Sequence, residues 1–114
     1  GASLYGTYGV ADYAEESSPV AKAYGKAYRD AYKLAPDNQS AWTYDAVNVL
    51  AKAMNTAKST EPEKVRSAIL AIKGYEGAEG QYNFDENGDG LHGYNIVKNE
   101  KGNIVFDKHI EAKR

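Results

Sequence analysis

Over residues 19–72 the apolar positions recur at spacings of three and four, and after Gly74 they alternate in twos. That change of period limits the chain to three helices followed by strands, because a helix-period segment laid out as a strand scatters its apolar side chains over both faces. Ser17 or Ser18 can cap the first helix, with Pro19 in its first turn and Val20, Tyr24, Ala27, Ala31 and Leu34 along one stripe as far as Ala35-Pro36. Asp37 or Asn38 can cap a second, whose apolar face holds Trp42, Ala46, Val49, Leu50, Ala53 and Ala57 up to about Lys58. The third opens on Thr60-Glu61-Pro62-Glu63, a capping-box pattern, buries Val65, Ala68, Ile69 and Ile72, and stops at Gly74. Beyond it, 81–84, 93–98 and 103–107 read as strands joined through 85–90 and 99–102, both rich in the glycine and asparagine of tight turns. One more apolar segment, 4–10, reads as a short buried strand entering a loop over 11–18.

Strand, three helices, three antiparallel strands is an order with too little sheet. Each apolar helix face needs a layer to cover it. A chain of 114 residues is long enough to bury a core, so the deficit is in sheet and not in length. The expectation is therefore that other segments supply parallel strands beside 4–10 and beneath the helices. Gly1-Ala2-Ser3-Leu4-Tyr5, which has no initiator methionine and enters apolar sequence at once, reads as an internal cut or a processed terminus.

Several function classes drop out on composition. The net charge is -2 and the basic residues are interspersed with carboxylates, so there is no stripe to follow a phosphate backbone and no nucleic-acid partner is expected. Apolar runs are too short to span a bilayer. The absence of cysteine excludes disulfides and thiolate metal sites. Ten tyrosines against one tryptophan and two phenylalanines favour half-wet surfaces, since the ring is apolar and its tip is not.

The stretch FDENGDGLHGY resembles a calcium loop at four positions, Asp85, Asn87, Asp89 and Gly90. The bidentate glutamate that such a loop needs at its twelfth position is Ile96 here, and the flanks read as strands, so a plain hairpin is the favoured reading and no metal is expected. AYRDAYKLAPDNQSAWTYDAV is similar to a junction between tetratricopeptide repeats, which would make the chain a helical protein-interaction module. No second copy follows one period later. Catalysis has no nucleophile set against a base: His92 and His109 lie in or near hairpins, and Glu15-Glu16 reads as a solvated charge pair. Asp45, just after Trp42-Thr43-Tyr44, reads as a structural hydrogen-bonding group at the edge of the core.

Taken together, LYGTYGVADY, AYRDAY with its following loop proline, WTYDAVNVLAKAM, EPEKVRSAIL and GAEGQYNFDENGDGLHGYNIVKNEKGNIV resemble the C-terminal third of periplasmic solute-binding proteins of the branched-chain amino-acid class, the ligand-capturing subunits of ABC importers. Most distinctive is Tyr44-Asp45-Ala46 followed downstream by Gly-x-x-Gly-x-x-x-Phe-Asp-x-x-Gly-Asp, beginning at Gly77. The resemblance implies an α/β fold, part of a type I arrangement of two lobes joined by three crossing strands, with ligand trapped between them. On that scheme 1–11 is a second-lobe strand entering the hinge, 12–94 holds first-lobe helices and the hairpin, and 95–114 is a hinge crossing with second-lobe strands. It also implies a small-molecule ligand such as an amino acid or an aromatic or amide compound, an ABC permease and an N-terminal part of the same protein as partners, a periplasmic or extracytoplasmic location, no cofactor and no enzymatic activity.

Ligands of open α/β sheets sit beyond the carboxyl ends of strands, where Tyr8 can stack or hydrogen-bond and Asp12 can accept from an ammonium group. Gln39 and Trp42, at the start of the second helix, are the other candidates. Trp42 as core and Asp12 as a turn cap are equally open readings.

Overall fold

The computed structural model describes residues 1–112. A 3-10 turn (Ala2–Leu4) precedes strand β1 (Tyr8–Ala11), and a second 3-10 turn (Glu15–Ser17) leads into helices α1 (Pro19–Tyr32), α2 (Asn38–Ala57) and α3 (Pro62–Leu70). Strands β2 (Tyr75–Glu76), β3 (Gln81–Phe84), β4 (Gly90–Leu91), β5 (Tyr94–Glu100) and β6 (Asn103–Ile110) complete the chain. Two antiparallel sheets result, β1-β5-β6 and β2-β3-β4. In the first, Ala11 lies opposite Asn95 and Asn95 opposite His109, with a bulge at Ile96/Val97.

The caps explain the helix starts. Ser18 Oγ accepts from the Ala21 amide at 3.0 Å, and Pro19 supplies the preset φ of the first helical position. At α2, Asp37 and Ser40 cap reciprocally: Asp37 Oδ1 accepts from the Ser40 amide at 2.8 Å and Ser40 Oγ from the Asp37 amide at 2.9 Å. At α3 the expected box on Thr60 does not form. Pro62 takes the first helical position, which makes Glu61 the cap without a side-chain bond, and Ser59 Oγ accepts the Glu61 amide instead.

Three other expectations need correction. The strand placed over 4–10 begins only at Tyr8, because Gly6 turns the chain at φ +83° and gives its amide to the Asn99 carbonyl. It is also exposed rather than buried, pairs antiparallel with β5, and leaves its other edge unpaired among the described residues. Helix α1 ends at Tyr32, not at Ala35-Pro36, since Lys33 adopts a left-handed conformation that returns its amide to the Arg29 carbonyl and puts Leu34 outside the helix in solvent. Glu15 is no solvated partner of Glu16: its carboxylate takes a two-pronged bond from the Arg29 guanidinium, which ties the 3-10 turn to α1.

The core is small. Tyr24, Ala41 and Ala78 form its centre, with Tyr13 and Tyr28 against them. Helix α2 buries Ala41, Asp45, Val49 and Ala53, so only Val49 and Ala53 of its expected face are inside; Trp42, Val47 and Leu50 remain exposed. A helix apolar on nearly all sides is one built to be surrounded. The dimensions agree. The radius of gyration is 16.0 Å, against about 13 Å for a compact domain of this length, and the accessible surface is 7558 Å², against about 6,100 Å² for a folded monomer of this mass.

One buried glycine sets the junction between β4 and β5. Gly93 has φ +78°, and a Cβ there would run into the Ile110 carbonyl and lie 2.6 Å from His109 Nε2. Gly93→Ala is expected to lower stability by about 2–4 kcal/mol through strain and collision together, read as a shift of the urea unfolding midpoint with an unchanged slope.

Candidate functional site

The end of β1, the start of α2, the β2–β3 turn and the start of β5 converge, and polar side chains make the joins. The Tyr13 amide donates to Asn38 Oδ1 at 3.2 Å, fastening the residue after Asp12 to the first turn of α2. About two turns further on, Asp45 is only 1% exposed and accepts the Ala78 amide at Oδ1 (2.8 Å) and the Glu79 amide at Oδ2 (3.0 Å). Its expected structural role is what the geometry shows. Gly77 has to be glycine for this, since a Cβ would stand 2.6 Å from Asp45 Oδ2 and 2.7 Å from the Tyr82 ring.

Glu79 is the least expected member. It is 2% exposed, accepts the Tyr82 hydroxyl at 2.9 Å, and lies 3.8 Å from His92 Nε2. Burial pushes its carboxyl up to about 7; the Tyr82 hydrogen bond opposes this, while the negative charges of Asp12 and Asp45 add to it. Burial also lowers the His92 imidazole below its ordinary value, against the pull of Asp12 and Asp45. The fully buried Asn95 donates from Nδ2 to the Asp12 carbonyl at 2.8 Å and meets His109 Nδ1 through Oδ1 at 2.8 Å.

The four candidate ligand residues do not share one surface. Asp12 sits half-buried at the convergence, its carbonyl held by Asn95. Tyr8 is 62% exposed on β1, with Lys98 Nζ 5.8 Å above its ring. Gln39 lines an open groove of about 860 Å³ with Tyr24, Tyr28, Tyr32 and Tyr44. Trp42, 61% exposed, faces a different groove of about 460 Å³ with Leu50, Ile69, Phe84 and His92. Sequence reasoning missed Glu79, His92 and Asn95. Gly77 and Gly80 bracketing Glu79 were the one available signal, since paired glycines mark a close approach; nothing marked Asn95.

The acidic stretch after Phe84 is a hairpin. Asp85 Oδ1 accepts the amides of Asn87 (3.0 Å) and Asp89 (2.9 Å) between β3 and β4. Among the described residues no group of three or more histidine, aspartate or glutamate side chains is arranged to hold a metal. The strands after α3 also replace the helical stack that a tetratricopeptide reading requires.

Two outcomes follow for the buried carboxylates. Asp45→Ala strands two buried amides and is expected to cost about 2–5 kcal/mol, Asp45→Asn less because one acceptor survives; chemical denaturation measures both. For Glu79 the folded state keeps a proton that the unfolded chain loses above its ordinary 4.5, so stability falls as pH rises from there to about 7 and is level beyond. Glu79→Gln should remove up to about 3 kcal/mol of that slope, seen as thermal midpoints that diverge from wild type between the two pH values.

Comparison with known proteins sets this arrangement in context. A family model described as "Periplasmic binding protein" matches residues 1–103. The Leu/Ile/Val-binding protein homolog 1 of Brucella abortus (strain 2308) is 36% identical over 78 residues, which are 68% of this chain and 21% of that protein. The crystal structure of the leucine binding protein LivK from Thermotoga maritima superposes with a TM-score of 0.82 at 31% identity, covering 97% of this chain and 32% of that one. A solute-binding protein of Rhodopseudomonas palustris BisB5, solved with 3,4-dihydroxy benzoic acid, shares the fold with a TM-score of 0.82 at 17% identity, over 100% of this chain and 33% of its own. The chain thus spans about a third of the solved structures it matches and about a fifth of the curated relative. With residues 1–103 matched by that model, and three helices and antiparallel strands in a fold that superposes on such proteins, the chain belongs to the periplasmic binding protein family.

Proposed function

We propose that these residues are the C-terminal portion of an extracytoplasmic solute-binding protein that captures a small molecule and delivers it to an ABC permease. The observation that carries this reading is the exposed apolar surface of α2 and β1. Val47 and Leu50 on the helix, with Val10 on the strand, face outward in a chain whose relatives are about three times its length. N-terminal segments of the same protein, supplying strands beside β1 and beneath α2, are the partner these faces fit. In this scheme 1–11 enters the hinge from the second lobe, 12–94 belongs to the first lobe, and 95–114 crosses back; residues 113 and 114 lie outside the described ones.

The ligand lies between lobes, and the residues assigned to it, which lie on separate surfaces of this chain, supply only part of its contacts. Asp12 is the candidate for an ammonium group, Gln39 and Trp42 for the ligand's body, and Tyr8 for a stacking contact near the crossing. An amino acid is the first expectation, given the leucine-binding relatives. The tyrosines beside Gln39 favour testing aromatic acids too. Closure around the ligand supplies affinity through contacts that exist only in the closed state.

Calorimetry on the full natural polypeptide that carries this sequence, with L-leucine, L-isoleucine, L-valine, L-phenylalanine and 3,4-dihydroxybenzoate, tests the reading. One of them should bind with a Kd on the order of micromolar, weakened about tenfold by Asp12→Ala or Gln39→Ala. No binding across the panel, or binding indifferent to both substitutions, counts against it.

A further inference from the structure

The chain has two bodies. Helices and the β2-β3-β4 sheet form one; β1, β5 and β6 form the other, extending the molecule to 53 Å along its longest axis. The end of β1, the start of β5 and the end of β6 lie side by side where the second body leaves the first. At that place Asn95, a polar side chain with no exposure, spans all three strands: Nδ2 donates to the Asp12 carbonyl just beyond β1, and Oδ1 faces His109 on β6. Because Nδ2 must be the atom on the carbonyl, Oδ1 can only accept, and His109 therefore carries its proton on Nδ1.

The imidazole is also the contact with the first body. A Cβ on Gly80, in the β2–β3 turn, would lie 3.4 Å from His109 Cε1, and a Cβ on Gly93 would lie 3.0 Å from the same atom. Both glycines hold positive φ, +149° and +78°. The ring is thus seated between two backbones stripped of side chains. On its far side, Nε2 lies 3.8 Å from Glu111. Gly80 directly follows Glu79, whose amide and carboxylate belong to the network that ties the turn to α2.

We propose that Asn95 and His109 form the pin on which the two bodies turn, positioning residues that fix the resting angle and so the cost of closing over a ligand. This rests on the solute-binding reading for its function but not for its test. The two hydrogen bonds lock the imidazole to the three strands, so its seat beside Gly80 sets the angle, whereas an apolar replacement would leave the angle to weak packing. The expected consequence is a change of affinity without loss of a ligand contact.

These residues contain no cysteine, so in the full natural polypeptide, with any cysteine outside them replaced by serine, spin labels at Lys64→Cys on α3 and Lys101→Cys at the β5–β6 tip report the angle directly. In the ligand-free protein, His109→Leu and Asn95→Asp should broaden the label distance distribution by about a factor of two. His109→Asn, whose amide nitrogen falls where Nδ1 was, should restore the narrow one. Unchanged distributions in folded His109→Leu and Asn95→Asp overturn the proposal. So does loss of the helical circular dichroism in both, which would make the pair plain core. Titration with L-leucine is a separate arm: failure to bind it counts against an amino-acid ligand, while the distances still decide the pin.

Discussion

The Asp45 carboxylate holds the structure together at its least obvious point. Two helices packed through a handful of tyrosines and alanines would not orient a short hairpin, because apolar contact is non-directional. Two amide hydrogen bonds to one buried carboxylate are directional, and they set the β2–β3 turn against the flank of α2. From that turn hang Glu79, with Tyr82 and His92 around it, and Gly80, beside which the His92 carbonyl and the His109 ring lie. The buried charge is tolerable because both its oxygens are satisfied.

Most of the architecture was legible as period and punctuation. The three helices start at residues whose side chains do cap or whose proline does open them, and β3 occupies 81–84 as read. What failed was the rotation of α2. A helix apolar around most of its circumference has no single stripe for periodicity to find, and here the face that is covered carries alanines and an aspartate while Trp42 and Leu50 stay outside. Strand β1 failed for a similar reason: Tyr8 and Val10 have the composition of a buried strand, and the layers that composition calls for are not among these residues. Both misreadings follow from sequence written for a larger assembly, if the functional proposal holds.

The candidate site was less legible. Ligand residues were sought at a strand end and a helix start, and those two places do meet, through Tyr13 and Asn38. Yet the meeting point is organised by side chains with no local signature. Asn95 sits in a strand pattern where an asparagine ordinarily faces solvent, and its two side-chain partners lie 14 and 83 residues away in sequence, beyond any window of periodicity. Glu79, two residues after Gly77 and next to Gly80, has no pattern around it that marks an acid as buried. Long-range polar contacts are the part of a fold that composition cannot announce.

The edge of β1 left unpaired among the described residues has a kinetic side as well. Its free amides and carbonyls accept any extended backbone that arrives, whether from the same polypeptide or from another copy. A tethered segment presents itself at an effective concentration of about millimolar, some thousandfold above a foreign chain at about micromolar. On the proposed reading, covalent attachment protects this edge by arriving first, and severing the tether would turn a private seam into a public one.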